Sequence, residues 1–272
     1  MSKIAKISAG DQLHFVPSDG GFAYGEGLFE TLKLHCGKLF LWEDHWTRLK
    51  ASAESLGFGP LPEEAATLEV LRELLKEETR TEGIVKLSLV RQEEGPVLYL
   101  YCRQPFGVVP EQVHLQLESN SRINPHSLLA GHKSHNYMEA ITLWRRAQAE
   151  GYYDSLRLDI EGALAETCLS NLFFLKNKVL YTPCINSGIL PGVVRRRVLE
   201  IAQNQNIKIK EGRYFPQDLH SADAVFLTNS IAGVVPVVSI EGLFKSNVQV
   251  HPSITYLREQ FASLEKEVFI KI

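Results

Sequence analysis

The chain of 272 residues has few cysteines, and they are scattered. Cys36, Cys102, Cys168 and Cys184 show no CxxC or CxxxC spacing. That argues against a zinc site and against a disulfide-stapled secreted domain, so no metal is expected. No apolar run approaches the ~20 residues that a membrane-spanning helix requires. The start, MSKIAKISAGDQLHF, lacks the continuous apolar stretch of a signal peptide. Charge of either sign is not in excess: the formal net charge is −3 and the pI about 6.3, so no global field draws nucleic acid or an anionic membrane. Internal repeats and low-complexity tracts are missing too. What is present, 44% hydrophobic and 22% charged residues, is the composition of an ordinary globular protein with a sizeable core. The expectation is a soluble, cytoplasmic protein acting on a small molecule, in which an anionic substrate would be met by local groups.

The pattern along the chain divides it in two. Phe22–Leu41 reads as turn, strand, turn, strand, with Gly37-Lys38 where a hairpin would reverse. Glu43–Leu56 and Leu61–Thr79 carry apolar residues at helical spacing, and Ile84–Val90 and Val97–Cys102 read as strands. Glu118–Pro125 (ESNSRINP) has the composition of a linker. Beyond it come a helix at Tyr137–Gln148 and strands at Ser155–Ile160, Asn171–Leu175 and Lys178–Thr182. A helix at Val193–Gln205, a buried strand at Ala224–Thr228 and a closing helix at Ile254–Leu264 complete the chain. The plain outcome is two α+β domains, residues 1–117 and 126–272, joined by 118–125.

Four stretches could carry chemistry, and each has an ordinary explanation beside the functional one. LAGHKSHNYMEA (Leu129–Ala140) sets Lys133 before a helix, where most lysines are surface cations; a desolvated lysine could instead form a Schiff base. His132 and His135 beside it suit hydrogen bonding better than metal ligation. ALAETCLSNLFF (Ala163–Phe174) puts Glu166 before an apolar strand, either as a solvated loop carboxylate or as the partner of a protonated ring nitrogen. ILPGVVRRR (Ile189–Arg197) turns through Pro-Gly into a helix whose first amides would suit a phosphate, as well as being an ordinary helix start. TNSIA (Thr228–Ala232) ends a buried strand in three hydrogen-bonding side chains, which a turn alone would also favour.

Their order and combination carry more than any one of them. With YGEGLFETLKL (Tyr24–Leu34), Arg48 in HWTRL, KSHNY (Lys133–Tyr137), ETCLSNLFF (Glu166–Phe174), GILPGVVRR (Gly188–Arg196) and VFLTNS (Val225–Ser230), nearly the whole chain resembles the fold-type IV pyridoxal-phosphate enzymes. These are the branched-chain and D-amino-acid aminotransferases and the 4-amino-4-deoxychorismate lyases. The resemblance implies an α+β fold of two domains: a small N-terminal α/β sandwich and a larger C-terminal domain with a β-barrel-like sheet and helices. It implies pyridoxal 5′-phosphate as cofactor, joined to Lys133, which then also moves protons as general base and acid. Glu166 would face the pyridine nitrogen and Leu190 one face of the ring. The amides of Val193 and Val194 would hold the phosphate, helped by Arg48 and the Asn229–Ser230 turn, with Tyr137 near the cofactor's phenolic oxygen. Many relatives have threonine where this chain has Val194. Relatives work as homodimers.

The lyases are favoured by NPHSLLAGHKSHN (Asn124–Asn136), which resembles their Asn-Pro…Leu-Ala-Gly-x-Lys-x-x-Asn run. TNSIAG stands where the branched-chain enzymes have Gly-Thr-Ala-Ala-Glu, and no Arg-x-His carboxylate trap of the D-amino-acid enzymes follows Arg91. Against this, the glycine-rich loop of the lyases is replaced by Arg91-Gln92-Glu93-Glu94-Gly95-Pro96. The expected activity is 4-amino-4-deoxychorismate lyase, giving 4-aminobenzoate and pyruvate for folate biosynthesis. Transamination is the alternative, and a cofactor-binding protein without turnover the remoter one.

Overall fold

The structure is a computed structural model that describes residues 2–8, 11, 16–104, 107–247, 250–267 and 269–271. Its elements run β1 (Lys3–Ile7), α1 (Gly20–Tyr24), β2 (Gly27–His35), β3 (Lys38–Phe40), α2 (Trp42–Ser55), α3 (Glu64–Glu77), β4 (Gly83–Gln92) and β5 (Gly95–Arg103). There follow β6 (Val113–Ile123), α4 (Met138–Ala149), β7 (Asp154–Asp159), β8 (Leu164–Thr167), β9 (Asn171–Lys176), β10 (Val179–Pro183), α5 (Val193–Asn204), β11 (Lys208–Gly212) and α6 (Pro216–Leu219). The chain closes through β12 (Ala224–Asn229), β13 (Gly233–Ile240), β14 (Phe244–Lys245), α7 (Pro252–Glu267) and β15 (Phe269–Lys271). It divides into two compact units, one of Met1–Val108, His132–Asn136 and Glu265–Ile272, the other of Val109–Gly131 and Tyr137–Leu264.

The first unit is a six-stranded sheet in the order β1-β5-β4-β2-β3-β15. Alternation along β2 explains its two faces. Leu28, Leu32 and Leu34 point with Val85, Leu87, Leu89, Leu98 and Leu100 into an apolar core that also takes Trp46 and Leu49 of α2 and Leu71 and Leu74 of α3. Phe29 and Thr31 point the other way, paired with Ser88 and Lys86 across the β2–β4 ladder. His132–Asn136 joins this unit because it is stitched to the start of β2. The Phe29 N–H donates to the Lys133 carbonyl at 2.8 Å, and the His135 N–H to the Gly27 carbonyl at 2.8 Å.

The second unit holds a nine-stranded sheet. Its main path is β11-β10-β9-β12-β13-β6-β7-β8, with β14 on the β13 edge. A further pairing of β8 with β9 closes six of these strands into a barrel-like ring, as the family resemblance implied, and the closing pair is Glu166 opposite Asn171. Leu115, Leu156, Leu158, Leu172, Phe174, Leu227 and Val235 are among the residues of its core.

Two expectations need correction. Glu118–Pro125 is not a linker: residues through Ile123 belong to β6, and the division between units falls at Val108/Val109. Its polar composition marks a register shift between Leu117 and Arg122, where the Glu118 carboxylate accepts the N–H groups of Asn120 and Ser121. Nor is the division into two contiguous stretches observed, since residues 132–136 cross back to the first unit. β13 went unread because Pro236 sits inside it and a proline counts against a strand. The strand tolerates it because pairing with β6 begins only at Val237.

Candidate active site

In the first unit the chemistry lies on the polar face of the sheet. An isolated antiparallel bridge sets Ser134 opposite Leu28, so Lys133 and His135 project to the side of Phe29. The Lys133 ammonium stands 4.5 Å from the Phe29 ring centroid. A second lysine, Lys86, lies 3.7 Å from the same centroid and donates to the Thr31 hydroxyl at 2.8 Å. Lys86 is 9% exposed. Burial, with the charges of Lys133 and Arg103 added, pushes its pKa down to about 6. His135 meets the Ser88 hydroxyl at 2.7 Å, and burial followed by the Lys86 charge lowers its pKa to about 4, so its imidazole is neutral. His132 meets the Ser52 hydroxyl at 2.9 Å. Both histidines are hydrogen-bonding partners here. Gly27 is required by this packing, because a Cβ there would lie 2.5 Å from His135 Nδ1.

On the helix-facing side of the same sheet, Glu30 is 1% exposed and takes a two-pronged grip from Arg48, Nε to Oε1 at 2.8 Å and Nη2 to Oε2 at 2.6 Å. Burial opposes the charge on Glu30, but Arg48 and His45 together outweigh it and hold its carboxyl well below the usual carboxylate range. His45 Nδ1 lies 2.7 Å from Glu30 Oε2, while its buried Nε2 has no hydrogen-bond partner among the described residues. Any phosphate contact by Arg48 would have to share a guanidinium already committed to Glu30. Arg91 also has local partners. It reaches the Gly57 carbonyl at 2.9 Å, Glu26 at 3.1 Å and the face of Phe58 at 4.6 Å. The following Glu93-Glu94 forms a tight hairpin, with Glu94 paired to Lys3.

In the second unit the β8–β9 hairpin presents Glu166. Its Oε2 accepts the Asn171 Nδ2–H at 2.9 Å and the Leu190 N–H at 3.1 Å. Behind it, fully buried Asp154 takes the Thr167 hydroxyl at 2.6 Å and the N–H groups of Cys168 and Leu169 at 3.1 Å each. Burial raises the Asp154 pKa against those hydrogen bonds. Tyr137 donates its hydroxyl proton to the Cys168 carbonyl at 2.9 Å. Burial, then the charges of Glu166 and Asp154, push its pKa up. The turn after Leu190 enters α5 with Gly192 as N-cap and no side-chain cap, and the side chains of Val193 and Val194 are buried. Asn229 Oδ1 accepts the N–H groups of Ile231 and Ala232, and its Nδ2 donates to Ser170, so this side chain shapes the turn that carries Ser230. Thr228, opposite Asn171 in the ladder, keeps a buried hydroxyl with no hydrogen-bond partner among the described residues.

Sequence reading missed Glu30, Lys86, Asn171 and Asp154. Lys86 did leave a signal, a charge inside the apolar strand IVKLSLV; Asp154 left none, since an aspartate after two tyrosines reads as a turn.

A family model described as amino-transferase class IV matches residues 27–240. The chain belongs to this family. It is 31% identical to the aminodeoxychorismate lyase of Bacillus subtilis (strain 168) over 240 residues, 83% of this chain and 81% of that one. It is 27% identical to the D-alanine aminotransferase of Bacillus licheniformis, over 82% of each chain. The crystal structure of 4-amino-4-deoxychorismate lyase from Pseudomonas aeruginosa superposes with a TM-score of 0.79 at 27% identity, covering 93% of this chain and 96% of that one. The class IV fold thus places both enzyme activities among its relatives.

Proposed function

We propose that this protein is a pyridoxal 5′-phosphate-dependent 4-amino-4-deoxychorismate lyase, converting its substrate to 4-aminobenzoate and pyruvate in folate biosynthesis. The observation that carries it is the pair of lysines on Phe29: one amine to join a cofactor aldehyde, and beside it a buried amine that can take up a proton to meet an anionic substrate. Similarity to the Bacillus subtilis lyase supports the same activity. The residues fit the cofactor. Glu166 is a carboxylate fixed by two N–H donors, the start of α5 is an uncapped helix end, and the orphaned Thr228 hydroxyl awaits a partner.

When bound, the cofactor supplies an electron sink to the carbon that carries the substrate amine. Lys133 Nζ would take the proton from that carbon; the ring C–O bond would then break with its electron pair leaving on oxygen as enolpyruvate, which takes up the proton held by Lys133 to become pyruvate, while the ring becomes aromatic. Glu166 would keep the pyridine nitrogen protonated, and Leu190 would pack on the ring. The amides of Val193 and Val194 would hold the phosphate, where a helix start favours an anion, with Arg48 and the Asn229–Ser230 turn assisting. Tyr137 would serve through the Cys168 turn that its hydroxyl holds, near the phenolic oxygen of a bound cofactor. Lys86 receives a substrate carboxylate, in place of the glycine-rich loop this chain lacks.

Incubating the protein with aminodeoxychorismate and measuring 4-aminobenzoate and pyruvate tests this directly. Transamination of amino acids with 2-oxoglutarate, in the absence of those products, would favour the second reading, which the D-alanine aminotransferase relative supports. A cytoplasmic homodimer belongs to the same proposal. Four free cysteines suit a reducing compartment, and Phe22 and Tyr24 of α1 are 65% and 75% exposed, an apolar surface a second copy would cover. No helix among the described residues is long and apolar enough to cross a membrane.

The phosphate assignment has its own test in Val194→Thr. Val194 is 1% exposed, so without cofactor the added hydroxyl is buried unpaired and costs about 1–3 kcal/mol. With cofactor it gains a charged acceptor, a bond of about 1.5–3 kcal/mol. The variant should therefore melt lower than the parent without cofactor, yet release cofactor several-fold more slowly on dialysis. Equal losses with and without cofactor would remove the phosphate from this helix start.

A further inference from the structure

We infer that Asn171 is a positioning residue, which sets the Glu166 carboxylate against the cofactor ring and ties it to the turn that opens the phosphate-binding helix. This rests on the reading of Glu166 given above and goes beyond it to a side chain with no assigned role.

The sheet brings the residues together. Glu166 and Asn171 are the one pair that joins β8 to β9, so the ring of strands closes through these two positions and their side chains share a face. Asn171 is 4% exposed. Its Nδ2 lies 2.9 Å from Glu166 Oε2 and 2.9 Å from the Leu190 carbonyl. Both neighbours are acceptors, so the amide nitrogen, with two hydrogens to give, must face them. Leu190 returns its own N–H to the same Glu166 oxygen at 3.1 Å. Carboxylate, amide and main chain thus form a closed set of three hydrogen bonds, two of them to a charged acceptor, the stronger kind. Donors of this sort also favour the ionised carboxylate, the form a protonated ring nitrogen needs.

The other end of Asn171 fixes the turn. A Cβ at Gly192 would lie 2.0 Å from Asn171 Oδ1 and 3.2 Å from its Cγ, so any side chain here must displace the Asn171 amide. Gly192 is the N-cap of α5, and its φ of −64° suits any residue. Contact with Asn171, rather than backbone conformation, therefore demands the glycine. One buried amide spans the distance between the carboxylate and the helix start. Asp154 holds the hairpin from behind through Thr167, Cys168 and Leu169, so Glu166 has no slack on either side.

The test uses Asn171→Asp, which keeps shape but offers no donor and places a like charge beside Glu166, and Asn171→Ser, which removes the reach without adding charge. Glu166→Gln is the reference. Borohydride trapping first counts the protein loaded at Lys133; then cofactor affinity and the pH profile of the bound cofactor's visible absorbance are measured. Expected are loading at Lys133 in both variants, affinity weakened by about tenfold or more through the lost charge-assisted bond, and a pH profile displaced in the same direction as in Glu166→Gln. A displacement in Glu166→Gln with both Asn171 variants at parental values would overturn the proposal while sparing the reading of Glu166. If Glu166→Gln were silent as well, Glu166 would not serve the ring nitrogen, and the proposal would fall with it. Should the Asn171 variants not fold, Gly192→Ala displaces the amide by its methyl group alone; the pH profile must move, and one identical to the parent's counts against Asn171.

Discussion

Lys133→Ala should keep its fold, bind cofactor only non-covalently and lose turnover by several orders of magnitude, since the same amine serves as attachment point and proton carrier. The fold is expected to survive because Lys133 is held to the sheet by its main chain. The 2.8 Å bond from the Phe29 N–H to the Lys133 carbonyl and the bridge at Ser134 do not depend on the side chain. Loss of the ammonium should also be felt by its neighbour. The charge of Lys133 is, after burial, the largest influence depressing Lys86, so the Lys86 pKa should rise from about 6 in the variant. The parent should be yellow, and borohydride should remove the colour and leave a modified Lys133 peptide. A parent that stays colourless with added cofactor, or a variant that still yields a reduced adduct, would defeat the assignment.

How much of this was legible beforehand follows from what each residue must do locally. Period-2 alternation in LFETLKL exposed β2, and the 3.6-residue spacing of EDHWTRLKASAESL exposed α2, because each must bury one face. Lys133, Glu166 and the Val193 helix start were marked by motif order. Closure of the barrel was not legible in detail, because it depends on a single pairing between neighbouring short strands, and β8, four residues long, is too short for a periodic signal. Asp154 and Asn171 were hidden for a related reason: a buried polar residue is recognised by its partners, and those partners are brought to it by the sheet. Arg48 shows the converse. The family resemblance marks it as a partner for phosphate, but only the fold reveals Glu30 across from it, held by its Nε and Nη2.

The same distinction governs Lys86, where the expected effects on stability and turnover have opposite signs. Its ordinary value of 10.5 falls to about 6 in the folded protein, so at pH 7 folding requires the lysine to give up its proton. That costs about 1.4 kcal/mol per unit over the interval between pH 7 and the unfolded value. Lys86→Met removes the cost and keeps the length of the side chain. It forfeits the 2.8 Å bond to Thr31 and the contact with Phe29, which offset part of the gain. A net stabilisation of about 2–3 kcal/mol at pH 7 is expected from urea unfolding. The sign of the pH dependence follows from proton counting. Between about 6 and 10.5 the unfolded lysine binds a proton that the folded one does not, so parental stability rises with pH across that window. Below pH 6 both states are protonated and the lysine's contribution is flat. The advantage of Lys86→Met should therefore be largest at and below pH 6 and shrink as pH rises toward 9. Turnover should move the other way, with KM raised by about tenfold or more, the value of one hydrogen bond to a charged group. Binding of an anionic substrate analogue to the parent should be accompanied by proton uptake near pH 7, and this uptake should vanish in the variant. A buried lysine that weakens the fold is intelligible only if something outside the fold repays it. If Lys86→Met gained no stability and left KM and proton uptake untouched, Lys86 would be a charged structural residue, and the anion site would have to be sought elsewhere.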